Sequence, residues 1–528
     1  MLAEHLFLER NIVAFIPKLR TFRSLLTFIW LLACGAHAAP AQICPVHSPV
    51  DVDPRKSLLI TETEVVSQAI SLRRVFNKIL KDVNASSGDR LTLWQQWWDT
   101  QNLSPGLGFG PNCDNFVDAN GTAQLNNFPL DCPRNEGTEI SHDPFDSSQP
   151  GFYYPIALVN RFDLAPRDGT HCGEYRVIFA RDPSAGEGRN LIIFEAVLPN
   201  PRPGCGLEGC REIAQFWAKL SKVADPARRA RMLASFYFRG LPDAGVAPVI
   251  SAGHFSAGTG QIRTNQFMTG SQFREWQLRE FKLARRQPNA NNSSPLAFVP
   301  VTTKSTAWGP LFSDNANHSQ ALRFKRDFLS QIDELTDAQA AAIGVELSDQ
   351  SFTGQSTVRP FGESDYSQHF DNAGLFASVM QSRLNMLGSG LSPDEIVSRA
   401  ETQTCAGCHQ LSNNEPLGQG LIWPASLGFV HVHETQTELI GGAPHFLISD
   451  ALKDSFLPQR ARIFEGFLGH RCDVCPSLEG FTTDTPDASV IDLSAHPDSS
   501  LSAALEAAEK LLRPARAVKR LNGVSRPH

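Results

Sequence analysis

Several features are scarce or missing in this chain of 528 residues. There are only five methionines, and none of them follows residue 386. No apolar run reaches the roughly 20 residues that a membrane-spanning helix needs, so we expect no transmembrane segment in the mature chain. The sequence also contains no GxSxG, HExxH or Walker motif, which excludes the usual signatures of serine hydrolases, zinc peptidases and P-loop proteins.

The chain also has fewer basic than acidic residues. The formal net charge is −7 at pH 7. Residues 1–38 carry two more basic than acidic residues, so the chain without them is more acidic still. Because nucleic acids bind through basic surfaces, this balance argues against a nucleic-acid partner. An apolar fraction of 41% in a chain of this length is enough for two or three domains.

The N-terminus has the order of features found in signal peptides. Basic residues at positions 18, 20 and 23 precede an apolar run from Leu25 to Ala33, and small residues then end in Ala36-His37-Ala38. This order predicts removal of residues 1–38 and a periplasmic or secreted protein. A second route is open, because Leu31-Leu32-Ala33-Cys34 resembles a lipobox in which Cys34 becomes a lipid-anchored N-terminus. We prefer cleavage near Ala38.

Either route leaves ten of the eleven cysteines. Two of them belong to the motif described below, and the other eight form an even set that suits disulfides in an oxidising compartment. A redox role for the CxxC at 472–475 is the alternative to a disulfide there. The expected local bridges are Cys113–Cys132, Cys205–Cys210 and Cys472–Cys475, and Cys44 and Cys172 complete the set.

The pentapeptide Cys405-Ala406-Gly407-Cys408-His409 has the pattern CxxCH. Two thiols separated by two residues lie on one helical turn, where they can add to the two vinyl groups of a haem. The histidine that follows then lies beneath the iron as its proximal ligand. The pattern predicts one covalently bound haem c, held by Cys405, Cys408 and His409.

A helix is predicted to lead into this motif. Ser392 suits the N-cap, Pro393 suits the first helical position, and Glu395 closes a capping box with Ser392. This helix should continue to about Thr404. Together, the helix and the CxxCH turn resemble the haem-attachment region of c-type cytochromes. The resemblance implies a mainly helical haem domain and electron transfer with a redox partner that the sequence does not identify.

Two other interpretations of the motif stay open. Zinc would use Cys405, Cys408 and a downstream His431 or His433 in a tetrahedral set, or the two thiols would form a disulfide. The chain would then be a disulfide-rich secreted binding protein. A haem-dependent oxidoreductase with a peroxidase-like open iron is the further alternative, because one haem beside a large companion domain suits catalysis as well as electron relay.

The sixth position of the iron also has several candidates. In the usual single-haem cytochrome c, the sixth ligand is a methionine downstream of the motif, and this chain has none there. The downstream histidines His431, His433 and His445 are the nearest candidates for a distal ligand. Met380 or Met386 would have to reach back from the preceding helix, and an open position is the third option. We favour a histidine or an open position.

The strand and helix patterns predict an α+β fold, with a strand-rich central domain and then a mainly helical cytochrome c-like domain. Short β-branched and aromatic runs bounded by turn residues predict strands on both sides of a helical pair, which favours a largely antiparallel sheet. The predicted regions are a signal peptide at 1–38, an N-terminal helical and loop region at 39–150, an α+β domain of unknown function at 151–340, a cytochrome c-like haem domain at 341–480, and a linker, short helix and basic tail at 481–528.

Overall fold

The structure is a computed structural model that describes residues 50–107, 111–183, 188–256, 260–267, 276–286 and 294–470, together with the backbone of 491–492. The predicted signal peptide and most of the predicted tail lie outside the described residues, as do Cys34, Cys44, Cys472 and Cys475. Contacts group Cys44–His528 into one unit. The finer domain boundaries drawn from the sequence stay predictions.

A nine-stranded sheet forms the centre of the described chain. The strands of this sheet run in the order β1-β4-β5-β6-β7-β8-β10, and β9 and β13 also pair with β8. All of these pairs are antiparallel except the one between β8 and β13. The strands are β1 (Leu59–Ile60), β2 (Gln124–Leu125), β3 (Phe128–Pro129), β4 (Tyr153–Arg161), β5 (His171–Arg181), β6 (Asn190–Pro199), β7 (Gln261–Gln266), β8 (Gln277–Arg285), β9 (Leu296–Val301), β10 (Ser356–Thr357), β11 (Val432–Ile440), β12 (Ala443–Ile448) and β13 (Ile491–Asp492).

The described helices precede and follow the strand-rich stretch in the chain, and one pair lies within it, between β6 and β7. Asp53, Ser71 and Asp225 cap the first, third and sixth helices with side-chain oxygens, as small polar N-cap residues commonly do. None of the described helices is long and apolar enough to cross a membrane. The helices are α1 (Pro54–Ser57), α2 (Thr63–Ala69), α3 (Leu72–Asp82), α4 (Arg90–Asp99), α5 (Arg211–Leu220), α6 (Pro226–Arg239), α7 (Ser319–Leu329), α8 (Leu375–Leu387), α9 (Pro393–Glu401) and α10 (Leu457–Gly469).

One face of the sheet is aromatic and packs against α4. Trp97 stacks on Phe298 of β9 with ring centroids 4.1 Å apart, and it also meets Phe194 of β6 and Phe281 of β8 edge to face. Gln96 exchanges two hydrogen bonds with the backbone of Phe298. Such aromatic burial is a large source of stability. The tryptophans of α4 are therefore part of the hydrophobic core.

The opposite face of the sheet carries charged and aliphatic side chains. Successive residues of a strand point to opposite faces. In β5, Tyr175 and Phe179 therefore belong to the aromatic face, while Glu174, Arg176 and Ile178 belong to the second face. This second face is covered by the segment that contains the CxxCH motif.

The sequence predicted the mixed fold and its large antiparallel sheet correctly. A mainly helical cytochrome-like domain is not confirmed, because residues 341–480 contain β10 and the hairpin β11–β12 as well as α8, α9 and α10. The two strands of the hairpin are joined by Gly441 and Gly442, both with positive φ (59° and 85°). Such a pair of left-handed residues makes a tight two-residue hairpin turn.

The described disulfides confirm one predicted bridge and correct another. Cys113 pairs with Cys132, as expected. Cys210 pairs with Cys172 and not with the neighbouring Cys205, so the predicted Cys205–Cys210 bridge is wrong. The Cα atoms of Cys172 and Cys210 lie 5.4 Å apart although 38 residues separate them, because β5 runs past the turn that precedes α5.

Candidate functional site

The CxxCH motif follows α9, which begins as its sequence predicts. Ser392 accepts a hydrogen bond from the Glu395 N–H, and the Glu395 carboxylate accepts one from the Ser392 N–H. The helix ends at Glu401, slightly earlier than expected, and residues Gly407–Leu411 form one π-helical turn. A Cβ at Gly407 would lie 1.9 Å from the carbonyl oxygen of Glu401, so only glycine fits at this position.

Arg399 fixes α9 to the rest of the chain. Its fully buried guanidinium donates hydrogen bonds to the carbonyl oxygens of Leu335, Asp337, Leu417 and Gly418. A planar group with five N–H donors can serve several acceptors at once. Because all four acceptors are backbone atoms outside α9, Arg399 sets the position of the helix that carries the motif.

Both thiols of the motif are buried, and neither is part of a disulfide. Cys405 packs with Trp276 and Leu278, and Thr306 lies 3.9 Å from its Sγ. Burial raises the pKa of Cys405 to about 12, so it is a protonated thiol at neutral pH. The Sγ of Cys408 lies 3.3 Å from Nε2 of His431.

The ring of His409 is held in one orientation and one tautomer. Its Nδ1 lies 2.7 Å from the carbonyl oxygen of Phe429. A carbonyl only accepts hydrogen bonds, so Nδ1 carries the proton and the neutral ring has its lone pair on Nε2. Burial, together with the nearby positive charges of Arg263 and Arg176 and against the hydrogen bond to Phe429, lowers the pKa of His409 to about 4. Neutral imidazole is the form that binds metal ions.

Trp276 covers His409 from one side. The two rings are stacked with centroids 5.2 Å apart and an interplanar angle of 24°. Trp276 is fully buried, and its indole N–H has no hydrogen-bond partner among the described residues. The contact holds the imidazole plane in place. The sequence does not link this residue to the motif, because it lies more than 100 positions earlier in the chain.

Of the three candidate distal histidines, His431 is the one beside His409. The centroids of the two imidazoles are 4.6 Å apart. Nδ1 of His431 lies 2.8 Å from the hydroxyl of Ser449. Burial lowers the pKa of His431 well below its usual value, with further contributions from His409 and Arg460, so this ring is also neutral.

The other candidates for the sixth position lie elsewhere. His433 is half-buried, and its Nδ1 accepts a hydrogen bond from the Thr435 N–H. His445 forms an isolated bridge with Glu62 at the hairpin β11–β12. Met380 is fully buried in the core, whereas Met386 is 73% exposed. None of these four residues lines the cavity that contains His409 and His431.

That cavity lies between the second face of the sheet and the motif. Its volume is ≈ 80 Å³. Apolar side chains, many of them from the strands, form most of its wall, and four charged residues complete it. The wall includes Val159, Ile178, Leu191, Ile193, Leu278 and Phe456, and the charged residues are Arg176, Glu195, Arg263 and Arg460.

The motif suggests a zinc ion, a disulfide or a haem, and the residues around it do not fit these three equally well. Among the described residues, no three His, Cys, Asp or Glu side chains are arranged to hold a metal ion, so the tetrahedral zinc set is missing there. The reduced thiols do not make the alternative disulfide. Two thiols at CxxC spacing, followed by a histidine with an unprotonated Nε2, are the donor set of a covalently attached haem. The ≈ 80 Å³ cavity beside them is smaller than a haem, so a loaded chain would pack differently around the motif.

No family model, curated protein or solved structure matches this chain. What the site can do therefore follows from its own residues.

Proposed function

We propose that this protein is an exported c-type haem protein that transfers electrons. Cys405 and Cys408 would hold one haem through thioether bonds, and His409 would be an axial ligand of the iron. The observation that carries the proposal is the tautomer of His409. The Phe429 carbonyl accepts a hydrogen bond from Nδ1–H, so Nε2 is the unprotonated nitrogen of the residue that follows two reduced thiols.

His431 is the proposed second axial ligand. It is the candidate histidine that lies beside His409, and Ser449 orients its ring. If both imidazoles held the iron, no position at the metal would be left for a substrate, which suits electron transfer. The ring centroids are 4.6 Å apart here, so the rings would have to move apart to hold an iron atom between them. When bound, the haem supplies one-electron redox chemistry at its iron. The alternative, a haem-dependent oxidoreductase, needs His431 to leave one position open.

Export is supported by the signal-like N-terminus and by the two described disulfides, because disulfides persist in oxidising compartments. Burial of the thiols determines the order in which haem attachment and folding would have to occur. Cys405 and Cys408 are at most 1% exposed, so the thioether bonds must form before the chain closes around the motif. Haem added to the folded chain would then give no covalent product.

The proposal is tested by producing the chain in a bacterial periplasm with and without haem-attachment machinery. With the machinery, the purified protein should show the absorption bands of a reduced c-type haem in alkaline pyridine. His409→Ala should lose the native spectrum, while the matched control His433→Ala should keep it. A colourless wild type, from a host that loads haem onto a control cytochrome, would refute the proposal.

The second axial ligand has a separate test. If His431 occupies the sixth position, carbon monoxide should bind the reduced wild type weakly and His431→Gly tightly. His433→Gly is the control and should behave as the wild type. Tight binding of carbon monoxide to the wild type would instead favour the oxidoreductase.

A further inference from the structure

The outward face of α8 has no charged side chain. Leu375 and Met386, near the two ends of this helix, are 76% and 73% exposed. Surface helices usually present charged side chains to water, so an apolar face of this kind indicates a contact that one chain does not complete by itself. The exposed residues of α8 are Leu375, Ser378, Val379, Ser382, Asn385, Met386 and Leu387.

Other helices of the described chain have the more usual charged exterior. α6 exposes Arg228 and Arg231, and α7, which packs beside α8, exposes Arg323 and Arg326. The uncharged face of α8 is therefore not a general property of the helices of this protein.

The apolar side chains of this face form one stripe. Leu375, Val379, Ser382 and Met386 are spaced by four, three and four residues, so they lie on the same side of the helix. The stripe contains no lysine, arginine or tryptophan, the residues that hold a helix at a membrane surface. Interfaces between proteins, in contrast, lose charge at their centre and are enriched in methionine. The stripe therefore fits a protein surface.

Charged residues lie at the two ends of α8. Asp371 is exposed four residues before Leu375, and a hydrogen bond from Asn372 holds the exposed Asp394 at the same end. Lys325 also lies near this end, but its ammonium group already donates to two backbone carbonyl groups. In the C-terminal half, Arg383 makes no hydrogen bond or ion pair with the residues that the structure describes.

We propose that two copies of this chain associate through α8, as an antiparallel helix pair with two-fold symmetry. Antiparallel pairing places Arg383 of each copy toward the acidic end, with Asp371 and Asp394, of the other copy. Leu375 of one copy then lies near Met386 of the other. The apolar stripe supplies the buried surface, and the two equivalent charge contacts set the direction of the pair.

The charge of the whole chain also favours this face. The formal net charge is −7, so two copies repel each other wherever acidic surfaces meet. A face without acidic side chains is where this repulsion is smallest. The helix has 13 residues and is about 20 Å long, which is small for a stable interface. We therefore expect a dimer that dissociates on dilution.

Sedimentation of the wild type over a wide range of concentrations measures this equilibrium. Arg383→Glu and Asp371→Lys should each weaken association by about tenfold or more, because like charges then face each other twice across the pair. An equimolar mixture of the two variants should recover the affinity of the wild type, because both charge contacts form again in the mixed dimer. A role of these residues within one chain would not give this recovery.

Val379→Glu tests the apolar stripe and should also weaken the dimer. Its matched control is Leu439→Glu, which places the same charge on a 77% exposed leucine of the hairpin β11–β12. This control should associate as the wild type does. Thermal unfolding of each variant shows whether the chain is still folded.

Three results would overturn the proposal. The first is a wild type that stays monomeric at every concentration, and the second is a dimer that Val379→Glu leaves unchanged. The third is a mixture of Arg383→Glu and Asp371→Lys that associates no better than either variant alone. If the wild type is monomeric and Val379→Glu lowers its thermal stability while Leu439→Glu does not, the face is covered by the same chain and not by a second copy.

Discussion

The carbonyl oxygen of Phe429 lies 2.7 Å from Nδ1 of His409 and determines which nitrogen of that ring carries the proton. The carbonyl is presented by an unusual turn, since Gly428 and Phe429 both have positive φ, 62° and 73°. A bulky residue rarely adopts this conformation, and such residues often occur at functional sites. The turn is therefore a part of the site that can be tested.

Gly428→Ala should destabilise the protein by about 1 kcal/mol, because left-handed backbone is unfavourable once a Cβ is present. A Cβ at Gly428 would meet no atom within 4 Å, so the cost is conformational and not steric. The control is Gly466→Ala in α10, where the space is equally open. Alanine in a helix should be neutral or stabilising by up to about 1 kcal/mol. Chemical denaturation measures both, and equal effects would contradict the role of the turn.

Glu401, in the helix that leads into the motif, should make stability depend on pH. Burial raises its pKa from 4.5 to about 7, although Ser367 donates hydrogen bonds to it. The folded state thus favours the protonated acid. Its contribution to the free energy of unfolding is complete below pH 4.5 and is lost as the pH rises to about 7, by on the order of 3 kcal/mol.

Glu401→Gln should therefore lose less stability than the wild type between pH 4.5 and pH 8. The variant and the wild type are compared by denaturant titration at both pH values. Glu415→Gln removes an exposed glutamate from the same region. This variant should lose as much stability between the two pH values as the wild type does. A wild-type pH dependence that survives in Glu401→Gln would show that another group is responsible.

Even a conservative replacement of the buried Arg399 should destabilise the protein. Arg399→Lys would keep the charge, but three donors on a flexible chain would replace a planar fork that serves four carbonyl groups. Buried carbonyls left without donors cost about 1–3 kcal/mol each, so a loss of at least about 2 kcal/mol is expected in urea. Arg462→Lys, on an exposed arginine, should change stability by less than about 0.5 kcal/mol.

Peptide mapping of the non-reduced protein should recover Cys172 linked to Cys210 and Cys113 linked to Cys132. Replacing Cys172 and Cys210 by serine should cost about 2–5 kcal/mol, as is typical for native bridges in secreted proteins. A peptide that links Cys205 to Cys210 would contradict the structure and restore the pairing expected from proximity in sequence.

Local chemistry explains which elements the sequence could predict. The start of α9 was predicted to the residue, because the bonds between Ser392 and Glu395 span only three positions. The hairpin β11–β12 was missed, because only two of the nine residues of β11 are buried and the strand lacks a clear apolar alternation. The sequence feature that indicates this hairpin is the pair Gly441-Gly442, which lies between two segments long enough to form strands.

The site could be predicted only in part, for a physical reason. Cys405, Cys408 and His409 are adjacent in sequence, so their pattern identifies them. Trp276, Arg176 and Arg263 reach the site through the order of the sheet strands, and Arg460 reaches it through the packing of α10. The sequence states neither arrangement. The correct bridge of Cys210 was hidden in the same way, because its partner Cys172 lies on β5, 38 residues earlier in the chain.

The central claim is the covalent attachment of haem, and the mass of the denatured chain tests it most directly. After production with haem-attachment machinery and denaturation under reducing conditions, the intact wild type should carry the added mass of one haem. Digestion should place both thioether bonds on the peptide with Cys405 and Cys408, and the double change of these residues to alanine should remove the added mass. Unmodified thiols at both positions, in a host that loads a control cytochrome, would contradict the account.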